Sequence, residues 1–276
     1  MTHAEHKQSE GQVLVERIDL GNGDYAGLLT LNRPEALNPL DSAMVAGLAA
    51  GLEELDMDVS VRTVLITGAG TAFCAGGDLL KYAALQRDTV HWPSIMEVNQ
   101  RMFAKMRSLS KPVVGLINGV TVAGGLEILI SCDFAYAAQS ARIGDGHLRF
   151  GQMGGGGALA ILPSLIGPAK ARELVLSGEL LPAADALELG LVNKVVPDDQ
   201  LLEAGLEFCK LVASRSPLAV SNARFVINEG LESGYGFHDH LRLELERVTR
   251  YVLTSEDARE GLSAFAEKRK PKFTGR

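Results

Sequence analysis

The sequence predicts an α/β fold that ends in a helical C-terminal region. A strand, glycine-loop, helix rhythm recurs through the first half of the chain. From Gly167 onward, apolar residues instead return at helical spacing, as in the stripe Leu201, Leu202, Leu206, Cys209 and Val212. No linker interrupts the 276 residues, which points to one large domain with a C-terminal extension rather than two domains.

Gln12 to Leu20 and Tyr25 to Leu31 alternate partly between apolar and polar residues around Gly21-Asn22-Gly23-Asp24 and read as a β-hairpin, which Asn32-Arg33-Pro34 ends. Asp41 caps a helix to about Leu55, with Met44, Val45, Leu48, Leu52 and Leu55 on one face. Val61 to Thr67 is a buried strand. The rhythm then repeats: strand Pro112 to Ile117, loop Gly119 to Gly125, helix Leu126 to about Cys132, strand Phe134 to Ala138. No sequence repeat of fixed period accompanies it. Helices follow near 169–177, 182–189, 200–214, 217–229, 237–253 and 255–268. The expected organisation is a flexible tail over 1–11, an α/β core over 12–200 and a helical region over 201–276.

Hydrophobic residues at 46% and charged residues at 22% are ordinary globular values, and no apolar run is long enough to cross a bilayer. The net charge of −7, with basic residues scattered outside Lys268-Arg269-Lys270 and Lys272, argues against broad nucleic-acid binding. Cys74, Cys132 and Cys209 cannot all pair and read as free thiols. The N-terminal residues carry neither an apolar signal core nor an arginine-rich transit pattern, so a cytoplasmic protein is expected.

Two glycine loops carry chemistry. Thr67-Gly68-Ala69-Gly70-Thr71-Ala72-Phe73-Cys74-Ala75-Gly76-Gly77-Asp78 runs from a strand end to a helix start, and its glycines either curl N–H groups toward an anion or make a tight connection. Asn118-Gly119-Val120-Thr121-Val122-Ala123-Gly124-Gly125-Leu126-Glu127 leads into a helix whose N-terminus suits an oxygen gaining negative charge. Together the loops can form an oxyanion hole. Glu127, in the first helical turn, is either a general base at that opening or a complement to the helix dipole. Gly155-x-Gly157-x-x-Ala160 matches a loose dinucleotide fingerprint, but no strand precedes it. Nucleophile-elbow, Walker, His-Glu-x-x-His and Cys-x-x-Cys patterns are absent, so no metal or cofactor site is expected.

In order, these segments resemble the crotonase (enoyl-CoA hydratase/isomerase) superfamily. The resemblance rests on Leu31-Asn32-Arg33-Pro34, Ala36-Leu37-Asn38, Phe73-Cys74-Ala75-Gly76-Gly77-Asp78, Lys111-Pro112, Asn118-Gly119, Ala123-Gly124-Gly125-x-Glu127, Cys132-Asp133 and the tail Arg259 to Arg269. It implies a spiral of ββα units, a helical C-terminal region involved in trimerisation, and a homotrimer or a homohexamer built as a dimer of trimers. It implies a CoA thioester substrate, with coenzyme A part of the substrate and no other cofactor, whose carbonyl oxygen is held by the N–H groups of Gly77 and Gly124. Ala36, Leu37, Ala75, Asp78, Leu79 and Leu80 match the CoA path. Phe265 and Lys268 match a C-terminal helix that touches the nucleotide end of CoA, or else they are core packing and a solvated face.

Glu127 matches the first of the two glutamates of hydratases in this family. The second position falls on His147. His147 can take over proton transfer, Asp145 can swing into the role, the second group can be missing, or His147 is an ordinary pocket histidine. A second departure is Gly154, where relatives usually have proline. Reversible hydration of an enoyl-CoA is the expected activity; isomerisation, acyl-CoA hydrolysis and non-catalytic CoA binding stay open, with a nicotinamide-dependent oxidoreductase as a remote third class. The acyl group is shaped by the segment Leu79 to Arg107, where Trp92 reads as part of a surface loop rather than a pocket wall.

Overall fold

Three times the chain lays a strand in a large sheet, turns within a few residues, and lays a short parallel strand in a second sheet. The computed structural model describes residues 11–276 apart from Ser233 and Tyr235, so most of the expected N-terminal tail lies outside the described residues. The strands are β1 (Val13–Gly21), β2 (Asp24–Leu31), β3 (Val61–Gly68), β4 (Ala72–Cys74), β5 (Val113–Ile117), β6 (Val120–Val122), β7 (Phe134–Ala138), β8 (Arg142–Gly144), β9 (Leu181–Pro182) and β10 (Lys194–Val196). The helices are α1 (Ser42–Met57), α2 (Leu79–Leu85), α3 (Trp92–Ser108), α4 (Gly124–Ser131), α5 (Ala158–Ile166), α6 (Pro168–Ser177), α7 (Ala183–Glu188), α8 (Leu201–Ala213), α9 (Pro217–Glu232), α10 (Phe237–Thr254) and α11 (Glu256–Ala266).

The large sheet has the order β1-β2-β3-β5-β7-β10, parallel from β2 onward, and the small sheet the order β4-β6-β8-β9, parallel over its first three strands. The repeated pairs β3/β4, β5/β6 and β7/β8 are the ββ part of each unit, and the fold is a crotonase-like spiral with a helical C-terminal region.

Strands β2, β3, β5 and β7 are apolar on both faces because both are covered. On one side α1 brings Met44, Leu48, Leu52 and Leu55 against Leu29, Val64 and Ile66. On the other, Leu201, Ala204 and Cys209 of α8 meet Ala26, Leu28, Leu65, Val114 and Leu116. Asp41 caps α1 by accepting from the Met44 N–H at 2.8 Å, as its sequence position predicts. All three cysteines are unpaired and buried; burial pushes the Cys74 and Cys209 thiols up to about 12 and Cys132 in the same direction.

The sequence reading needs three corrections. Helix α5 precedes the expected onset of helical structure at Gly167. The helix start expected at Asp78 is that of α2, but the segment beyond it, for which no helix is expected, forms the seventeen-residue α3. Trp92, expected on a surface loop, occupies the first turn of α3 with Pro93 after it and stacks edge-on against Tyr82 at 5.5 Å.

Candidate active site

Strands β4, β6 and β8 run parallel, so their C-terminal ends open on the same side. Residues 75–78 leave β4, 123–127 leave β6, and 145–147 leave β8. Segments far apart in sequence thus deliver Gly77, Gly124, Glu127 and His147 to one cavity, of about 780 Å³ including its open mouth.

The first loop is pinned from outside. Fully buried Asn38 donates to the carbonyls of Ala69 (2.9 Å) and Ala72 (2.8 Å) and accepts from the Arg33 N–H (2.8 Å). Leu40 pairs with the loop on either side of Gly77: its N–H donates to Gly76 O (2.7 Å), and its carbonyl accepts from the Asp78 N–H (2.9 Å). The Gly77 N–H is skipped by this ladder. The second loop turns from β6 into α4 through Ala123, at φ +53° and ψ −114°, a conformation that costs an L-residue about 1–3 kcal/mol. Its carbonyl already accepts the Glu127 N–H at 3.0 Å, which leaves the Gly124 N–H at the open end of α4. Among the described residues, neither Gly77 N–H nor Gly124 N–H has a hydrogen-bond partner. The two loops touch, since a Cβ on Gly124 would lie 3.5 Å from Gly76 Cα.

Glu127 is buried in the first turn of α4, and its Oε1 accepts from the Gly156 N–H at 2.6 Å. Burial raises its pKa above the ordinary carboxylate value, although the His147 charge and the N–H groups of Gly156 and Ala158 pull downward. His147 also lines the cavity. Asp145 does not: it is 0% exposed, behind the imidazole, and its Oδ1 accepts both the His147 backbone N–H (2.9 Å) and a contact from Nδ1 (2.6 Å). Burial alone would depress the His147 pKa; the Asp145 hydrogen bond and charge, with the Glu127 charge, outweigh it and leave the pKa raised. Of the ways left open for the second group, the structure places His147 in the cavity and Asp145 beneath it.

Sequence reasoning missed the far wall. Trp92, Met96, Asn99 and Phe103 recur at i, i+4, i+7 and i+11 on α3 and line the cavity with Tyr82, whose hydroxyl accepts from Asn99 Nδ2 at 3.2 Å. That spacing was legible in the sequence. Ala75 and Leu79 line the cavity as well. Ala36, Leu37 and Leu80 are exposed outside it, and Asp78 is buried, capping α2 and accepting from Arg33 Nη1 at 3.0 Å. Phe265, 84% exposed, and Lys268, at φ +56°, lie on and just past α11, outside the cavity lining. Among the described residues no cluster of side chains fits a metal, and no helix is long and apolar enough to cross a membrane.

Two N–H groups unpartnered among the described residues and a buried carboxylate at one cavity, at the ends of strands in a ββα spiral, are the arrangement that the crotonase resemblance implies. Residues 25–276 match the family model described as enoyl-CoA hydratase/isomerase, and the chain belongs to that family. It is 35% identical over 253 residues to the putative enoyl-CoA hydratase/isomerase YngF of Bacillus subtilis, covering 91% of this chain and 95% of that one. It is 34% identical to the 2,3-dehydroadipyl-CoA hydratase of Escherichia coli, covering 90% and 95% respectively. The crystal structure of an enoyl-CoA hydratase from Bacillus anthracis superimposes with a TM-score of 0.88 at 33% identity, over 96% of this chain and all of that one.

Proposed function

We propose that the chain is an enoyl-CoA hydratase that adds water reversibly across the α,β double bond of a neutral enoyl-CoA. The observation that carries the reading is the convergence of Glu127, His147 and the N–H groups of Gly77 and Gly124 on one cavity. Glu127 takes a proton from water as its oxygen bonds to Cβ, and the double-bond electrons move onto the thioester oxygen between the two N–H groups. Collapse of that enolate takes a proton from His147 onto Cα. The proton left on Glu127 returns to His147 through solvent and closes the cycle. No group beyond the thioester is required.

The neutral acyl class follows from the walls. Met96, Trp92, Phe103, Tyr82, Phe150 and Met153 line the cavity, and among the described residues its only ionisable lining groups besides the Tyr82 phenol are Glu127 and His147. A terminal carboxylate would find no lysine or arginine among these walls, and His147 is already paired with Asp145. Ala36, Leu37, Ala75, Asp78, Leu79 and Leu80 mark the CoA path at the mouth, and Phe265 and Lys268 reach the nucleotide end across a subunit boundary. The exposed apolar stripe Leu241, Leu245, Val248 and Val252 of α10 supports assembly as a homotrimer or homohexamer. Three unpaired thiols suit a cytoplasmic enzyme.

Incubation with a panel of enoyl-CoAs tests the reading: 3-hydroxyacyl-CoA should form from apolar chains at least tenfold faster than from a dicarboxylic chain. Absence of that product at every chain length sinks it. A second reading, acyl-CoA hydrolysis, is favoured by the His147–Asp145 contact, since an imidazole held by a carboxylate is suited to activate water against a carbonyl. Release of the free CoA thiol in the same assay would select it, and double-bond migration without either product would select the isomerase.

A further inference from the structure

His147 and Gly154, the two positions that depart from the family pattern, meet in space. A Cβ on Gly154 would lie 3.2 Å from His147 Cε1 and 3.4 Å from Nδ1, and 3.0 Å from Glu127 Oε1. The contacts with Glu127 Oε1 and His147 Cε1 are tighter than most that a Cβ makes, so a side chain at 154 would crowd the carboxylate and the imidazole by a few tenths of an ångström. From the opposite side, Gly146 at φ +72° turns the chain so that Asp145 folds back on the residue two positions later. One Asp145 oxygen then receives both the backbone and the ring nitrogen of His147. The other, Oδ2, is buried without a partner among the described residues. A fully buried carboxylate with one oxygen unpaired is costly, and the imidazole is the ionisable group hydrogen-bonded to it. With Nδ1 committed to Asp145, Nε2 is the ring atom left for the cavity.

We propose that Asp145, His147 and Gly154 form one proton-delivering unit, in which Gly154 leaves the imidazole uncrowded and Asp145 holds Nδ1 so that Nε2 alone exchanges protons with the substrate Cα. Asp145 and Gly154 are positioning residues; His147 is the group that meets the substrate. The inference rests on the reading of His147 as proton donor. The ionisable groups facing the imidazole are Asp145 from its own segment and Glu127 from α4.

The test follows hydration of crotonyl-CoA and exchange of the α-protons of butyryl-CoA with D2O, in the full chain and its variants. In ¹⁵N-histidine spectra, with the resonance assigned by its loss in His147→Gln, neutral His147 should carry its proton on Nδ1; a proton on Nε2 overturns the proposal. Asp145→Asn should lower kcat by at least about 100-fold with KM changed less than threefold, and move the alkaline limb of the kcat profile down by about one pH unit or more. Gly154→Ala should lower kcat at least tenfold in the parent, and by a clearly smaller factor, through its contact with Glu127 alone, in the His147→Gln background. Equal losses in both backgrounds would place its effect on Glu127 and overturn the unit, and they decide the matter even if Asp145→Asn does not fold. Exchange that needs His147, without hydration, would refute the hydratase reading and leave the unit standing. Hydration unaffected by Asp145→Asn and Gly154→Ala would do the reverse, and absence of both activities would refute both.

Discussion

All eight residues of α4 are buried, whereas none of the eighteen residues of α10 is. Helix α4 is apolar around its whole circumference apart from Glu127 and Ser131, and its own chain encloses it between the sheets and α3 and α5. Helix α10 carries Leu241, Leu245, Val248 and Val252 along one stripe, each 45–67% exposed, with Arg242, Glu244 and Glu246 between them. Full burial of such a side chain is worth about 1.5–3 kcal/mol, so α10 leaves unused the kind of stabilisation that α4 has within the monomer. Enclosure by the chain itself puts a carboxylate where its proton affinity rises. An uncovered stripe on a stable helix fits a face shared with a second copy, as the proposed assembly requires.

The comparison can be broken at either helix. Glu127→Gln removes the one charge in α4 without changing its shape and should lower kcat by about 10²- to 10⁴-fold while leaving KM within about threefold, read as loss of enoyl absorbance. Gly125→Ala attacks the enclosure: the new Cβ would lie 2.2 Å from the backbone carbonyl oxygen of Cys74, which no side-chain rotation can move away. Its expected cost is about 3 kcal/mol or more, measured as a lowered urea midpoint.

The pH profile sharpens the same contrast. Glu127 must be ionised to take a proton, so the rate falls about tenfold per unit as pH drops below its pKa, which lies above the usual carboxylate value of about 4.3. His147 must be protonated to give one, so the rate also falls as pH rises through its pKa, above about 6.5. His147→Gln should remove the alkaline limb only. The smallest expected change in the monomer is at α10: Leu245→Asp should shift unfolding of an isolated chain by no more than about 0.5 kcal/mol while reducing the mass seen by light scattering. An unchanged mass would show that this stripe is not the interface.

Strands and caps were readable where one local cause dominates. The β7 limits agree with the sequence, and Asp41 and Asp78 both cap helices, because a short acidic side chain before an apolar run meets the first unpaired N–H groups wherever the chain goes next. Helix α3 escaped because its apolar residues serve two masters: Met102 and Met106 face the core, Trp92 and Met96 face the cavity, and Phe103 meets both. Helix α5 escaped because the glycine run hides its start and Pro163 lies inside it. The two glycine loops and Glu127 were legible from residue type and order. That Asp145 lies under His147 was not, since it depends on the left-handed turn at Gly146, although Asp-Gly is itself a turn signal. The link between Gly154 and His147 is a packing relation, and no local pattern encodes it.

The buried cysteines have a practical consequence. A thiol whose pKa is pushed up to about 12 presents almost no thiolate at neutral pH, and at Cys74 and Cys209 burial also bars a reagent from the sulfur. Cys132 is sealed in the same way. Leu80, 89% exposed on α2 beside Leu79 of the cavity lining, is the natural place for an added cysteine. In Leu80→Cys the new thiol would react alone, so a fluorophore could be set at the edge of the cavity with every native cysteine left in place.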